Sequence, residues 1–152
     1  MVESLCYQGR HSVGNEAIDE DHHLIFGLLH EFRGALDGNE LAMGKAYVAD
    51  IARALGDHFR REEAILDRCL AAGAEDHAAR HRELRRAAED VLAEVAEMVT
   101  PDSLSRAYHR LANIVMSEVL DADFLIASQC ATPVAPPPDL ATWWVACPDW
   151  RL

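Results

Sequence analysis

Histidines and carboxylates recur at helical spacing in four separate parts of the sequence. The members of this set are His22, His58, Glu62, His77, His81, Glu118 and Asp123. Each group falls on or beside the apolar stripe of a predicted helix, where ionisable side chains are costly to bury unless they are paired or bind a metal. His58 and Glu62 are four residues apart, as are His77 and His81, so both members of each pair face the same way. The pattern predicts a metal site inside a helical protein.

The donor set indicates more than one metal ion. Seven candidate ligands exceed what a single tetrahedral zinc takes, so we expect two ions. Carboxylates can bridge a pair of ions, and a nitrogen and oxygen set without thiolate suits iron, with manganese and zinc as alternatives. His77 is not followed by glutamate, which excludes the H-E-x-x-H signature of zinc proteases.

Four amphipathic segments must position these ligands. Apolar residues at steps of three and four predict a first helix over 16–37, and similar stripes run through 48–69, 77–98 and 104–125. Helix boundaries are indicated by Gly38, by Gly73, which should end the second helix, and by Thr100-Pro101-Asp102. Short connections favour antiparallel neighbours, so we expect an all-α, up-down-up-down four-helix bundle whose ligands meet at one end.

Two segments lie outside the predicted bundle of residues 16–127. Residues 1–15 form an irregular arm, in which Tyr7, Val13 and Gly14 are candidates to pack on the bundle. Residues 128–152 form a tail in which several prolines precede Trp143, Trp144 and Trp150. Because disordered tails are normally poor in aromatics, we expect this tail to dock onto the bundle or onto a protein partner.

Chain length and net charge argue against some classes of function. The 152 residues fit one domain, and a formal charge of −12 argues against binding to nucleic acid or to anionic membranes, which require clustered Lys and Arg. No secretory signal is visible at the N-terminus, so the cytoplasm is the expected compartment. The cysteines are expected to be free thiols, with a disulfide between the first and the last as the alternative. They are Cys6, Cys69, Cys130 and Cys147.

The ordered combination of motifs resembles bacterial hemerythrin over roughly residues 5–127. The matching segments are Val13-Gly14-Asn15-Glu16-Ala17-Ile18-Asp19-Glu20-Asp21-His22, His58-Phe59-Arg60-Arg61-Glu62-Glu63 and His77-Ala78-Ala79-Arg80-His81. The resemblance implies a non-haem di-iron site, oxo- and carboxylate-bridged, that binds dioxygen reversibly and holds it as a peroxide at one iron. The terminal ligands implied by position are His22, His58, His77 and His81. The implied bridging carboxylates are Glu62 and Asp123.

The predicted fourth helix departs from the family's pattern, which has a histidine five positions before the aspartate. Counted back from Asp123, this position holds Glu118, which either binds metal or turns to solvent. A competing register pairs Asp121 with Met116, whose thioether is a poor partner for iron. An anionic ligand in place of imidazole favours the oxidised metal pair and lowers its reduction potential.

Three classes of function are compatible with these features. The first is an oxygen-binding di-iron protein used for storage, delivery or sensing. The second is a di-iron redox enzyme that acts on oxygen, peroxide or nitric oxide. The third is a structural or signalling module whose tail engages a partner. For each histidine taken alone, a hydrogen-bonded place in the core is the alternative to metal binding. Asp19 and Asp21 are interpreted as first-turn acids whose negative charge interacts favourably with the helix dipole. The alternative is that either one forms a hydrogen bond to His22 or to a neighbouring residue.

Overall fold

Four α-helices make up the regular structure of the residues that the computed structural model describes. These residues are 12–98, 100–121, 126 and 128–130. The helices are α1 (Glu16–Asp37), α2 (Leu41–Arg68), α3 (Ala74–Ala96) and α4 (Pro101–Asp121). The predicted all-α four-helix bundle is therefore confirmed, and the bounds predicted for the first helix are those of α1. Tyr7, Asp123 and the tryptophans of the predicted tail lie outside the described residues.

Contacts between helix ends establish the up-down-up-down arrangement. The connection from α1 to α2 is only residues 38–40, so these two helices run antiparallel. Lys45, near the start of α2, donates a hydrogen bond from Nζ to the Ala96 carbonyl at the end of α3, at 3.1 Å. Arg80, near the start of α3, donates to the Ser117 hydroxyl late in α4, at 2.6 Å. The end of α2, the start of α3 and the end of α4 therefore lie together.

Local sequence explains where the helices begin and end. Asn15 caps α1, because its side-chain oxygen accepts a hydrogen bond from the Ile18 backbone N–H at 3.4 Å. The prediction that Gly73 ends the second helix was wrong: α2 stops at Arg68, and Gly73 instead precedes α3 with a left-handed φ of 86°. Glycine suits this position because it adopts positive φ without steric cost. The chain reverses direction between Cys69 and Gly73.

The apolar residues form two clusters of unequal size. The larger cluster fills the centre of the bundle and contains Phe32, Ile51, Val91 and Leu111. The smaller cluster involves the start of α1, the end of α2 and chain beyond α4; its buried members are Val13, Ile18, Ile65, Leu66, Ala71 and Ile126. Within the described residues, no helix combines the length and the apolar character that crossing a membrane requires.

Gly44 allows three helices to approach closely near the start of α2. A Cβ atom added at Gly44 would lie 3.3 Å from Leu104 Cδ1 on α4 and 3.3 Å from Phe32 Cε2 on α1. Both neighbours are almost fully buried, so they have little room to move. By contrast, a Cβ atom added at Gly27 in α1 would meet nothing within 4 Å.

The substitution Gly44→Leu should therefore lower the free energy of unfolding by about 1–3 kcal/mol, the usual cost of overpacking a core. The control Gly27→Leu should leave stability unchanged or raise it by up to about 1 kcal/mol, because leucine favours a helix more than glycine does. Urea unfolding followed by far-UV circular dichroism measures both changes. Equal stability of Gly44→Leu and wild type would show that the helices are not closely packed at this position.

Candidate metal centre

Six of the seven predicted ligand residues are buried at one end of the bundle. The buried polar and charged side chains of the described residues are His22, His58, Glu62, His77, His81 and Glu118, each 7% exposed or less. The seventh predicted ligand, Asp123, lies outside the described residues. Burial of ionisable groups is rare without pairing or a metal, so their concentration at one place marks the candidate site.

A carboxylate oxygen of Glu62 lies at the centre of the group. The Nε2 atoms of His77 and His81 are each 3.2 Å from Glu62 Oε2, and His58 Nε2 is 3.7 Å from the same oxygen. Glu118 Oε1 lies 2.6 Å from His81 Nε2. One ligand atom from each of Glu62, His77, His81 and Glu118 falls within 4.8 Å of the others. Helices α2, α3 and α4 thus deliver donors to one point.

His22 extends the group toward α1. Its ring centroid lies 5.0 Å from that of His58, at an interplanar angle of 61°. Both rings line a narrow pocket together with Glu118 and apolar side chains. The lining residues are His22, Ile25, Phe26, Leu55, His58, Val115, Glu118 and Val119. The candidate site therefore has a polar side made of imidazoles and carboxylates and an apolar side made of core residues.

Glu118 faces the inside of the bundle and not solvent, since it is only 1% exposed. Met116, which the competing register would use, is partly buried and packs against the larger apolar cluster. The side chain of its partner Asp121 is not among those described. The positions in α4 therefore favour the register in which Glu118 is the ligand.

Carboxylates that are not among the candidate ligands lie beside the second ring nitrogen of two histidines. His81 Nδ1 donates to Glu63 Oε1 at 2.9 Å, which turns Nε2 toward Glu62 and Glu118. His58 Nδ1 lies 3.6 Å from Asp21 Oδ2, and the same Asp21 oxygen forms an ion pair with Arg61. Metal-binding histidines commonly donate their second ring nitrogen to a carboxylate, as His81 does to Glu63.

The two acids near the start of α1, Asp19 and Asp21, make different contacts. Burial acts to raise the pKa of Asp21, but its contacts with His58 and Arg61 outweigh burial and hold the pKa below its usual value. Asp21 thus pairs with Arg61 and lies beside His58, which is closer to the alternative interpretation. Asp19 instead accepts hydrogen bonds from the Ser12 hydroxyl at 2.7 Å and the Val13 N–H at 2.8 Å, and so holds the preceding chain.

Several contacts that support the site were not predicted from the sequence. Phe59 stacks on the His81 ring with centroids 4.4 Å apart, and the Arg85 guanidinium carbon lies 5.8 Å from the Phe59 ring centroid. Glu63 and the bond between Arg80 and Ser117 were also missed. The rule that a ligand histidine needs a second partner could have prompted a search for a carboxylate, but it does not say which acid supplies it.

His81 is the residue whose pKa responds most to the buried carboxylates. Burial acts to lower the pKa of His81, but hydrogen bonds to Glu118 and Glu62 outweigh it and raise the pKa to about 9. Near neutral pH the ring therefore carries a proton that offsets the buried carboxylates. A metal cation provides the same compensation and would displace the proton when it binds.

The residues also fit a metal by their chemistry. Glu118 Oε2 is buried and has no hydrogen-bond partner among the described residues. Leaving a buried charged acceptor without a partner is costly, and a cation removes that cost. Imidazole nitrogens and carboxylate oxygens without thiolate are donors typical of iron sites.

Comparison with known families agrees with this site. The family model named Hemerythrin HHE cation binding domain matches residues 13–130 of the sequence. The chain belongs to this family. The match spans all four helices, so the hemerythrin domain contains every described candidate ligand. Among curated proteins, none matches the chain significantly. The resemblance noted in the sequence is therefore confirmed at the level of the family, and the buried histidine and glutamate cluster is its candidate metal-binding site.

The substitution Glu63→Gln should weaken metal binding by the hemerythrin domain roughly 10- to 100-fold, the usual effect of losing a carboxylate behind a ligand histidine. Glutamine keeps the shape of the side chain but removes the negative charge that increases the basicity of His81. Anaerobic titration with iron(II) against a chromophoric chelator measures the affinity. The exposed Glu83 on α3 offers a matched control, since Glu83→Gln should bind as wild type does. Equal affinity of the two variants would rule out this role for Glu63.

Proposed function

We propose that this hemerythrin domain holds two iron ions at a carboxylate-bridged site and binds dioxygen reversibly, for storage, delivery or sensing. The observation that carries the proposal is the buried cluster of imidazoles and carboxylates beside an apolar pocket. When bound, an iron pair supplies the reversible electron exchange with dioxygen that amino-acid side chains lack.

The positions of the donors support the ligand assignment. Glu62 is the proposed bridging ligand, because imidazoles from both α2 and α3 surround its Oε2 atom. Glu118 is proposed to take the place of a fifth histidine. Asp123 remains proposed as the second bridge, as the family resemblance implies. The proposed terminal ligands are His22, His58, His77 and His81.

The apolar side of the pocket supports a small, uncharged ligand. Ile25 and Phe26 come from α1, Leu55 from α2, and Val115 and Val119 from α4. These side chains keep water and protons away from the ligand atoms of Glu118, and water exclusion suppresses side reactions of reactive species. Dioxygen is itself small and apolar, so it can enter such an environment at little cost in desolvation.

The iron-loaded, reduced protein should therefore develop a visible absorption band under oxygen, and the band should disappear when oxygen is removed. Spectra recorded through several cycles of oxygen and argon measure this behaviour. The variant Glu62→Gln should not show the band because it loses the central carboxylate, whereas Glu83→Gln should match wild type. A band that forms once and never reverses on removal of oxygen would argue against reversible binding.

A second function, a di-iron redox enzyme acting on oxygen, peroxide or nitric oxide, is favoured by Glu118. Its carboxylate lies within the ligand group and is almost fully buried, so its charge acts on the metals with little screening. An anionic oxygen ligand stabilises the oxidised pair relative to the reduced pair. The same change moves the ligand set toward those of carboxylate-rich di-iron proteins.

The substitution Glu118→His should therefore slow the oxidative decay of the oxygen-dependent band by roughly tenfold, which corresponds to about 1.4 kcal/mol in the barrier. Stopped-flow absorbance measures the decay in air-saturated buffer. Glu83→His introduces the same side chain on an exposed position of α3 and should leave the rate unchanged. Equal decay rates in wild type and Glu118→His would remove the redox role assigned to Glu118.

A further inference from the structure

Two cysteines that are distant in the sequence meet beside the connection between α2 and α3. Cys69 directly follows α2 and is exposed, and its N–H bonds to the Ile65 carbonyl at 3.0 Å. Cys130 lies beyond α4 and is partly buried, and its N–H bonds to the Ile126 carbonyl at 2.8 Å. Cys130 packs against the smaller apolar cluster, whose members Ile65, Leu66 and Ala71 flank Cys69 in the sequence, so the two cysteines lie beside each other. Both were predicted to be free, and both are; their proximity was not predicted.

The neighbouring residue Gln129 holds this arrangement in place. Its side-chain oxygen accepts a hydrogen bond from the Ala72 N–H at 2.8 Å, and its amide nitrogen donates to the Ala72 carbonyl at 3.1 Å. Both bonds engage the backbone of one residue, so they fix the segment that contains Gln129 and Cys130 against the α2–α3 connection. Cys130 also packs against the smaller apolar cluster, which contains Ile65 and Ile126. The hydrogen bonds of Gln129 and the apolar contacts of Cys130 therefore both hold this segment beside the α2–α3 connection.

The two thiols differ in accessibility. Cys69 is exposed and can be reached by an oxidant from solvent. Burial and the neighbouring Cys69 raise the pKa of the Cys130 thiol to about 11, so Cys130 stays protonated near neutral pH. A solvent-accessible cysteine with a second cysteine beside it is the arrangement in which a sulfenic acid can be converted to a disulfide.

We propose that Cys69 and Cys130 form a peroxide-responsive thiol pair that closes into a reversible disulfide at the metal-bearing end of the bundle. The Cys69 thiolate attacks one oxygen of hydrogen peroxide, hydroxide leaves, and a sulfenic acid forms at Cys69. The sulfur of Cys130 then attacks the Cys69 sulfur, the S–S bond forms, and water leaves with the thiol proton. In sum, two thiols and one peroxide give one disulfide and two waters, and a thiol reductant restores the pair.

The cross-link would join two elements that carry the candidate ligands. Cys69 follows the helix that contains His58 and Glu62, and Cys130 lies beyond the helix that contains Glu118. A bond between them closes a long loop of chain and so disfavours the unfolded state. It would also resist separation of α2 from the end of α4. The disulfide requires no bound metal, so the inference stands apart from the proposed dioxygen binding.

The test uses full-length protein in which Cys6→Ser and Cys147→Ser leave only the two cysteines of interest. The protein is reduced, freed of reductant and treated with one equivalent of hydrogen peroxide. Intact mass should fall by two hydrogens, the protein should remain monomeric, and peptide mapping should link Cys69 to Cys130. Dithiothreitol should reverse the change. In the same background, Gln129→Ala should form the disulfide several-fold more slowly because the segment around Cys130 is no longer held against Ala72.

Three results would overturn the inference. They are persistence of both thiols, oxidation of Cys69 to sulfinic acid without a cross-link, and a disulfide between two molecules. Mapping of the wild-type chain under the same treatment guards against a folding defect in the background variant, and a disulfide there to Cys6 or Cys147 would equally contradict the proposal. The cross-linked protein should also unfold several degrees higher than its reduced form, whereas peroxide should leave the melting temperature of Cys69→Ser unchanged.

Discussion

The burial of two carboxylates, Glu62 and Glu118, inside a helical bundle is the constraint on which the rest of this structure depends. Neither is more than 1% exposed, and a buried carboxylate is unstable unless positive charge or hydrogen-bond donors surround it. The surrounding imidazoles supply the donors, and hydrogen bonds to the carboxylates raise the pKa of His81 in spite of its burial. A metal centre is the arrangement that satisfies every member of this group together.

The four helices meet this constraint by bringing their candidate ligands to one end of the bundle. Close packing at Gly44 fixes α1, α2 and α4 at the opposite end. Near the ligands, the bond from Arg80 to Ser117 ties α3 to α4 next to His81 and Glu118. A ligand group assembled from different helices needs such ties, because small displacements of a ligand change how well it binds. The helices are therefore held together both around Gly44 and beside the candidate ligands.

The features that repeat along one helix were predictable from the sequence, whereas those that depend on contacts between helices were not. Helical periodicity located α1 and placed His58 with Glu62 on one face. The order of the helices was enough to predict that the candidate ligands lie at the same end of the bundle. By contrast, Glu63 meets His81 across a separation of 18 positions, and periodicity does not say which acid of α2 faces α3. The meeting of Cys69 and Cys130 depends equally on the path of the chain beyond α4.

The iron-to-protein ratio is the measurement that bears most closely on the proposed two-iron site. The chain is reconstituted anaerobically with excess iron(II), desalted and measured by elemental analysis against amino-acid analysis. We expect about two iron ions per chain in wild type. The variant Glu62→Gln should bind markedly less iron, because it lacks the carboxylate at the centre of the group. A ratio near zero in folded wild-type protein, or a ratio unchanged by Glu62→Gln, would contradict the proposed two-iron site.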